Sequence, residues 1–115
     1  MKATEKNILL DRLSVCYNRT NYLKALCEEQ NLPDEAARFA RRKDRLKLEI
    51  DGLLRDLYHD WIGDAKALAK KLDDSNKDVE KAVKDIEQKI KTAENIVKVI
   101  GYIDDVIEIA AGLVL

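Results

Sequence analysis

At 115 residues, with 46% hydrophobic and 37% charged side chains, one proline and four glycines, the chain has the size and bias of one helical domain. That composition excludes a β-sheet protein, a disordered tail and a fold that needs a metal or disulfide to close. Lys plus Arg (21) nearly cancel Asp plus Glu (22), so no global field draws a polyanion or an anionic membrane, and such a partner must be held by a local patch.

The first predicted helix runs from about residue 4 to 30, with Thr4 as its N-cap. Leu9, Leu13, Cys16, Thr20, Leu23 and Cys27 follow a strict 4-3-4-3-4 spacing, the seam of a helix packed in coiled-coil fashion. Ile8, Val15, Tyr22 and Leu26 widen that seam on one side, and Leu10 and Tyr17 on the other, so this helix belongs in a bundle. Cys16 and Cys27 lie about 16 Å apart along the axis, too far to bridge, and are expected to be buried free thiols in a reducing compartment.

The stretch Asn31-Leu32-Pro33-Asp34-Glu35 is a turn, because proline suits the first position of a helix and acids favour its first turn. The second predicted helix then spans about 34 to 73. Its apolar positions Phe39, Leu46, Ile50, Leu53, Leu57, Trp61, Ala65, Leu68 and Leu72 run on through Gly52 and Gly63. The 4-4 step from Leu57 through Trp61 to Ala65 departs from the heptad and predicts a bend there. Asp73-Asp74-Ser75-Asn76 reads as the second turn, with Ser75 and Asp78 as a capping box.

The third predicted helix covers about 76 to 113 and has two unlike halves. From Lys77 to Lys91 the apolar residues form a single stripe, Val79, Ala82, Val83, Ile86 and Ile90; from Ile96 onward the stripe doubles. The turns place the first helix beside residues up to about 60. The expected fold is therefore all-α, one domain over 1–115, with three long antiparallel helices. The second and third extend beyond the first as a two-stranded coiled-coil hairpin over about 61 to 90. A break of the second helix at Gly52 or Gly63 would give four helices instead.

The chemistry-bearing residues are sparse. His59, the sole histidine, makes with Asp56 a carboxylate-x-x-His pair that resembles half of the di-iron motif of four-helix carboxylate proteins, but it points away from the apolar face. No serine has a histidine at matching depth, and no glycine-rich phosphate loop exists. No enzyme activity, cofactor or metal is expected.

The expected function is a helical protein–protein interaction module that self-associates as a dimer through the hairpin, using Tyr58, Trp61, Ile62, Leu68, Val79, Val83 and Ile86. The alternative is a nucleic-acid binder using Arg38, Arg41, Arg42 and Arg45, within a basic run that includes Lys43 and Lys47. Register puts that run beside Asp104, Asp105 and Glu108, which predicts intramolecular compensation instead. The most apolar window, Ile96 to Leu115, presents an acidic strip that anionic headgroups repel, and Met1 to Leu10 holds no apolar run of signal-peptide length. A cytoplasmic location without membrane contact follows as the expectation.

Overall fold

The computed structural model describes residues 1–114 and contains four α-helices: α1 (Ala3–Glu29), α2 (Pro33–Arg55), α3 (Ala65–Glu87) and α4 (Thr92–Ala111). They form a bundle of 43 × 22 × 17 Å. α1 packs between α2 and α3, and α4 likewise packs against both; α2 and α3 stand at opposite corners and do not touch. Cross-helix ion pairs fix the directions. Arg12 reaches Asp73, Arg19 reaches Glu80 and Arg42 reaches Asp104, partners that lie 61, 61 and 62 residues apart in sequence. A constant offset, not a constant sum, means that α1 runs parallel to α3 and α2 parallel to α4. The molecule is thus two helical hairpins laid side by side in the same orientation.

Both hairpins close with the same backbone device. At the end of α1, Asn31 takes a left-handed conformation (φ 59°), its N–H donates to the Glu28 carbonyl, and the Leu32 N–H donates to the Cys27 carbonyl at 2.8 Å. At the end of α3, Lys89 (φ 58°) donates to the Ile86 carbonyl, and Ile90 donates to Asp85, also at 2.8 Å. These paired bonds satisfy carbonyls that the last helical turn would leave unpaired. Asn31 tolerates the left-handed region; Lys89, and Lys91 after it (φ 43°), occupy it at a cost.

The linker over residues 56–64 crosses one end of the bundle diagonally to join α2 to α3. Trp61 is its anchor, 2% exposed in the core, with its indole N–H donating to the Asp56 carbonyl at 3.0 Å. Lys6 of α1 is itself buried. Its ammonium donates to the carbonyls of Leu57 and His59 and sits 5.5 Å from the Trp61 ring centroid, so its charge is met by backbone dipoles and a π face. Ile62 donates its N–H to the Leu113 carbonyl, which ties the linker to the chain beyond α4. Gly63 has φ +103°, and a Cβ there would lie 2.8 Å from a Leu68 methyl, so the residue before the Asp64 cap must be glycine.

Three long helices are therefore replaced by four. The second predicted helix stops at Arg55, because the linker needs Trp61 in the core and Gly63 at positive φ. No turn forms at residues 73–76; they lie inside α3. Asp73 pairs with Arg12 of α1, Asp74 with Lys70 along α3, and the Asn76 amide N–H donates to the Arg12 carbonyl, so most of a polar run that reads as a loop finds partners in a helix, although the buried Asn76 Oδ1 has none among the described residues. The Ser75–Asp78 capping box and the hairpin arm over 61 to 90 do not exist, and the long third helix is broken at residues 88–91. Thr4 is not the first cap either: Lys2 holds that position, its N–H donating to the Glu5 carboxylate at 2.8 Å.

The core follows the periodicity more closely. Leu9, Leu13, Cys16, Thr20, Leu23 and Cys27 are all fully buried, and Ile96, Val99, Ile100, Ile103, Val106 and Ala110 face them from α4 in one apolar cluster.

Candidate interaction surface

The fold internalises most of the contact residues expected from sequence. Val79 and Ile86 are fully buried in α3, Val83 and Trp61 are nearly so, and Leu68 is half-buried against the core. They hold the bundle together and present nothing to a partner. Only Tyr58, 97% exposed on the linker, and Ile62, about half as exposed, stay outside, joined at that end by Leu54 of α2.

A larger unpartnered surface lies elsewhere, along the outer groove between the parallel helices α1 and α3. On the α1 side Ile8, Val15 and Tyr22 recur at intervals of seven, one ridge facing outward; Ile8 and Tyr22 are each over two-fifths exposed. On the α3 side Ala65 and Ala69 are small enough to open a depression of about 450 Å³ against Ile8, walled by Glu5, Arg12, Lys66, Lys70 and Asp73. A second depression, of about 290 Å³, continues it past Val15 to Arg19, Asn76 and Lys77. Across the floor run two ion pairs, Arg12–Asp73 at 2.9 Å and Arg19–Glu80 at 3.5 Å, and Arg19 also donates to the Asn76 carbonyl. Their carboxylates are spent on arginines. Lys66 and Lys77 make no ion pair among the described residues and Lys70 pairs with Asp74, while Glu5 and Asp11 line the same depressions, so the rim of the groove carries charges of both signs. At the far end, partial desolvation and the neighbouring Glu87 carboxylate raise the Tyr22 hydroxyl above its ordinary pKa.

The ridge was present in the sequence as residues widening the α1 seam. Its heptad spacing, 8-15-22, would have marked it as a separate outer stripe, since a residue seven along returns to the same face. The alanines of α3 gave no such signal, because Ala65 sat on a heptad that belonged to a helix that does not exist.

Three of the six cations in the basic run of α2 are compensated by ion pairs among the described residues. Arg42 pairs with Asp104 at 3.2 Å across to α4, Arg45 with Glu49 and Lys47 with Asp51 along α2 itself. Arg38 is half-buried and Arg41 exposed, neither with an ion pair among the described residues. The expected antiparallel register, which set residue 42 beside about residue 108, is overturned because α2 and α4 run parallel; Arg42 still meets an acid of α4, Asp104, while Asp105 and Glu108 are exposed with no ion pair among the described residues.

Of the other reactive groups, His59 Nδ1 lies 3.0 Å from an Asp56 carboxylate oxygen on the exposed linker. Both thiols are free and fully buried, and burial pushes each of them up to about 11, far from a reactive thiolate. Among the described residues there is no cluster of three or more His, Cys, Asp or Glu arranged to hold a metal, and no helix long and apolar enough to cross a membrane. Comparison with protein-family models, with curated proteins and with solved structures found no match to this chain.

Proposed function

We propose that the chain is a non-enzymatic helical interaction module that self-associates, working in the reducing interior of the cell. The observation that carries this reading is the α1–α3 groove. The four helices and Trp61 complete a core without Ile8, Val15 or Tyr22, yet these three form a continuous outer ridge beside small alanines. Apolar residues placed in line on an exposed face have a use when something covers them. The near balance of charge supports association, since copies of a chain with net charge −1 do not repel one another at range. The two buried, unreactive thiols support the compartment.

Sedimentation velocity from low to high micromolar concentration tests the reading. Species heavier than the 13.1 kDa chain are expected, and a strict monomer throughout that range removes self-association. The nucleic-acid alternative rests on Arg41 and Arg38, the two arginines of the cluster without a carboxylate partner. Its test is an oligonucleotide titration at two salt concentrations, in which phosphate contacts must weaken steeply with salt.

A further inference from the structure

We propose that residues 56–64 are a hinge across which two copies of the chain exchange hairpins. In the exchanged dimer α2, the linker and α3 straighten into one helix over residues 33–87, and the α1–α2 hairpin of each copy packs on the α3–α4 hairpin of the other. The α1–α3 groove stays open in that dimer, so hairpin exchange is independent of the surface association proposed above.

The apolar spacing crosses the linker without losing phase. Phe39, Leu46 and Leu53 form a buried seam on α2, and Leu72, Val79 and Ile86 one on α3, each at intervals of seven. α2 and α3 do not touch, so nothing in the monomer requires their seams to share a helical phase. Yet Phe39 to Ile86 is a step of 47 residues, about thirteen turns at 3.6 residues per turn, and Leu57 and Trp61 fall between them on the same face. Straightened, the segment carries one stripe along its length. The exchanged dimer needs that, because its two long helices lie antiparallel at diagonal corners and each faces the core on the same side in both bundles.

The topology permits the exchange. The two hairpins have the same orientation, so α2 ends and α3 begins at one end of the bundle. A second copy placed there by a two-fold axis receives the straightened helix with α1 still parallel to α3 and α2 to α4. Arg12–Asp73, Arg19–Glu80 and Arg42–Asp104 are then remade between copies, and the balance between monomer and dimer is left to the hinge.

Straightening also relieves the closed hinge. Lys6 is buried without an ion pair among the described residues, its ammonium held by the carbonyls of Leu57 and His59. In a helix those carbonyls accept from the amides of Trp61 and Gly63, four residues on, and Lys6 returns to water. Leu54, Tyr58 and Ile62, all exposed in the monomer, are spaced by four, so they align on one side of the long helix at the junction where the second bundle abuts. Exchange requires the hairpins to separate, so the dimer forms on refolding at high concentration and persists on dilution.

The experiment refolds the wild type, Gly63→Ala, Tyr58→Gly and Gly101→Ala from urea at high micromolar concentration and separates the products by size exclusion with light scattering. Alanine at 63 is strained in the closed hinge, at φ +103° and with its Cβ 2.8 Å from a Leu68 methyl, and is favoured in a helix. Its dimer-to-monomer ratio should exceed the wild type's by about tenfold or more, because both hinges of the dimer gain. Tyr58 is 97% exposed, so glycine there costs the closed hinge little and the straight helix more, and the ratio should fall several-fold. Gly101→Ala lies in α4 under either arrangement, with nothing within 4 Å of the added Cβ, and should leave the ratio unchanged. The dimer should weigh twice 13.1 kDa, show more helix per residue than the monomer by circular dichroism, and survive dilution to low micromolar concentration for hours. Hairpin exchange is overturned if the Gly63→Ala ratio does not exceed the wild type's, or if the dimer is no more helical than the monomer. Should Gly63→Ala fail to fold, a ratio that does not fall in Tyr58→Gly overturns it instead. A dimer that dissolves promptly on dilution also overturns it and leaves the surface association standing. A persistent dimer beside a separated monomer that never associates does the reverse, removing the groove reading and supporting exchange.

Discussion

Replacing Lys89 by glycine separates the structure from its closest competitor by the sign of a stability change. In the structure Lys89 sits in the left-handed region, φ 58°, as the residue that lets Ile90 bond back to Asp85. A side chain there costs about 1–2 kcal/mol, which glycine does not incur, while the greater freedom of glycine in the unfolded chain removes part of the gain. The net expectation for Lys89→Gly is a stabilisation of about 0.5–1 kcal/mol. For a chain of this size that raises the melting temperature by roughly 2–4 °C. If residues 76 to 113 were one continuous helix, the same change would put glycine in an exposed helix interior and cost about 1 kcal/mol. Lys81→Gly is the control, because Lys81 is exposed in the interior of α3 under either architecture and its replacement must destabilise. Thermal and urea unfolding of both variants, with the denaturant slope unchanged, reads the two signs directly. Loss of stability in Lys89→Gly of the same size as in Lys81→Gly would refute the turn at residues 88–91 and the four-helix fold with it.

Trp61→Ala removes the anchor of the linker from a site where it is 2% exposed, and it should cost about 3–5 kcal/mol by urea unfolding; a cost under about 1 kcal/mol would place Trp61 on a half-wet surface. Arg42→Glu should lose up to about 1 kcal/mol and recover part of it with Asp104→Lys, whereas Arg41→Glu should be near neutral, a double-mutant comparison that checks the α2–α4 register. The thiols predict a pH dependence. With both pKa values raised from 9.0 to about 11 by burial, the unfolded chain gives up those protons first, so their contribution is intact below pH 9 and declines between 9 and 11. The unfolding midpoint should fall across that window less steeply in Cys16→Ala/Cys27→Ala than in the wild type, and an identical slope would show that the thiols are not buried.

Legibility in the sequence followed the chemistry of each turn. The first was readable because Asn31 tolerates the left-handed conformation and Pro33 can only begin a helix, so both residues announce their positions. The turn at residues 88–91 performs the same closure with Lys89 and Lys91, which are good helix formers, and the signature of the motif is absent from its side chains. What did mark it was the change from one apolar stripe to two, with Ile90 left 44% exposed at the junction. The linker was masked differently. Leu57, Trp61 and Ala65 are spaced as helix positions and two of the three are deep or half-deep in the structure, but they reach the core from a segment that crosses the bundle end. The 4-4 step noted there was a true break and not a bend. Residues 73–76 misled in the opposite direction, because local polarity carries no information about Arg12 and Arg19 waiting on a neighbouring helix. The contact surface was lost with them, since it had been drawn on an arm that these errors created.

A total charge of −1 conceals a division of charge among the helices. α2 carries seven cations, Arg38, Arg41, Arg42, Lys43, Arg45, Lys47 and Arg55, against five acids, and α4 carries one cation against four acids. Part of this difference is met where the two helices touch, through Arg42 and Asp104. What remains on α4 faces outward at Glu94, Asp105 and Glu108. These exposed charges contribute close to nothing to folding. The same division explains why composition alone was silent on the matter. Summed over the chain the charges cancel, and their division becomes visible only after the fold has sorted them onto separate helices.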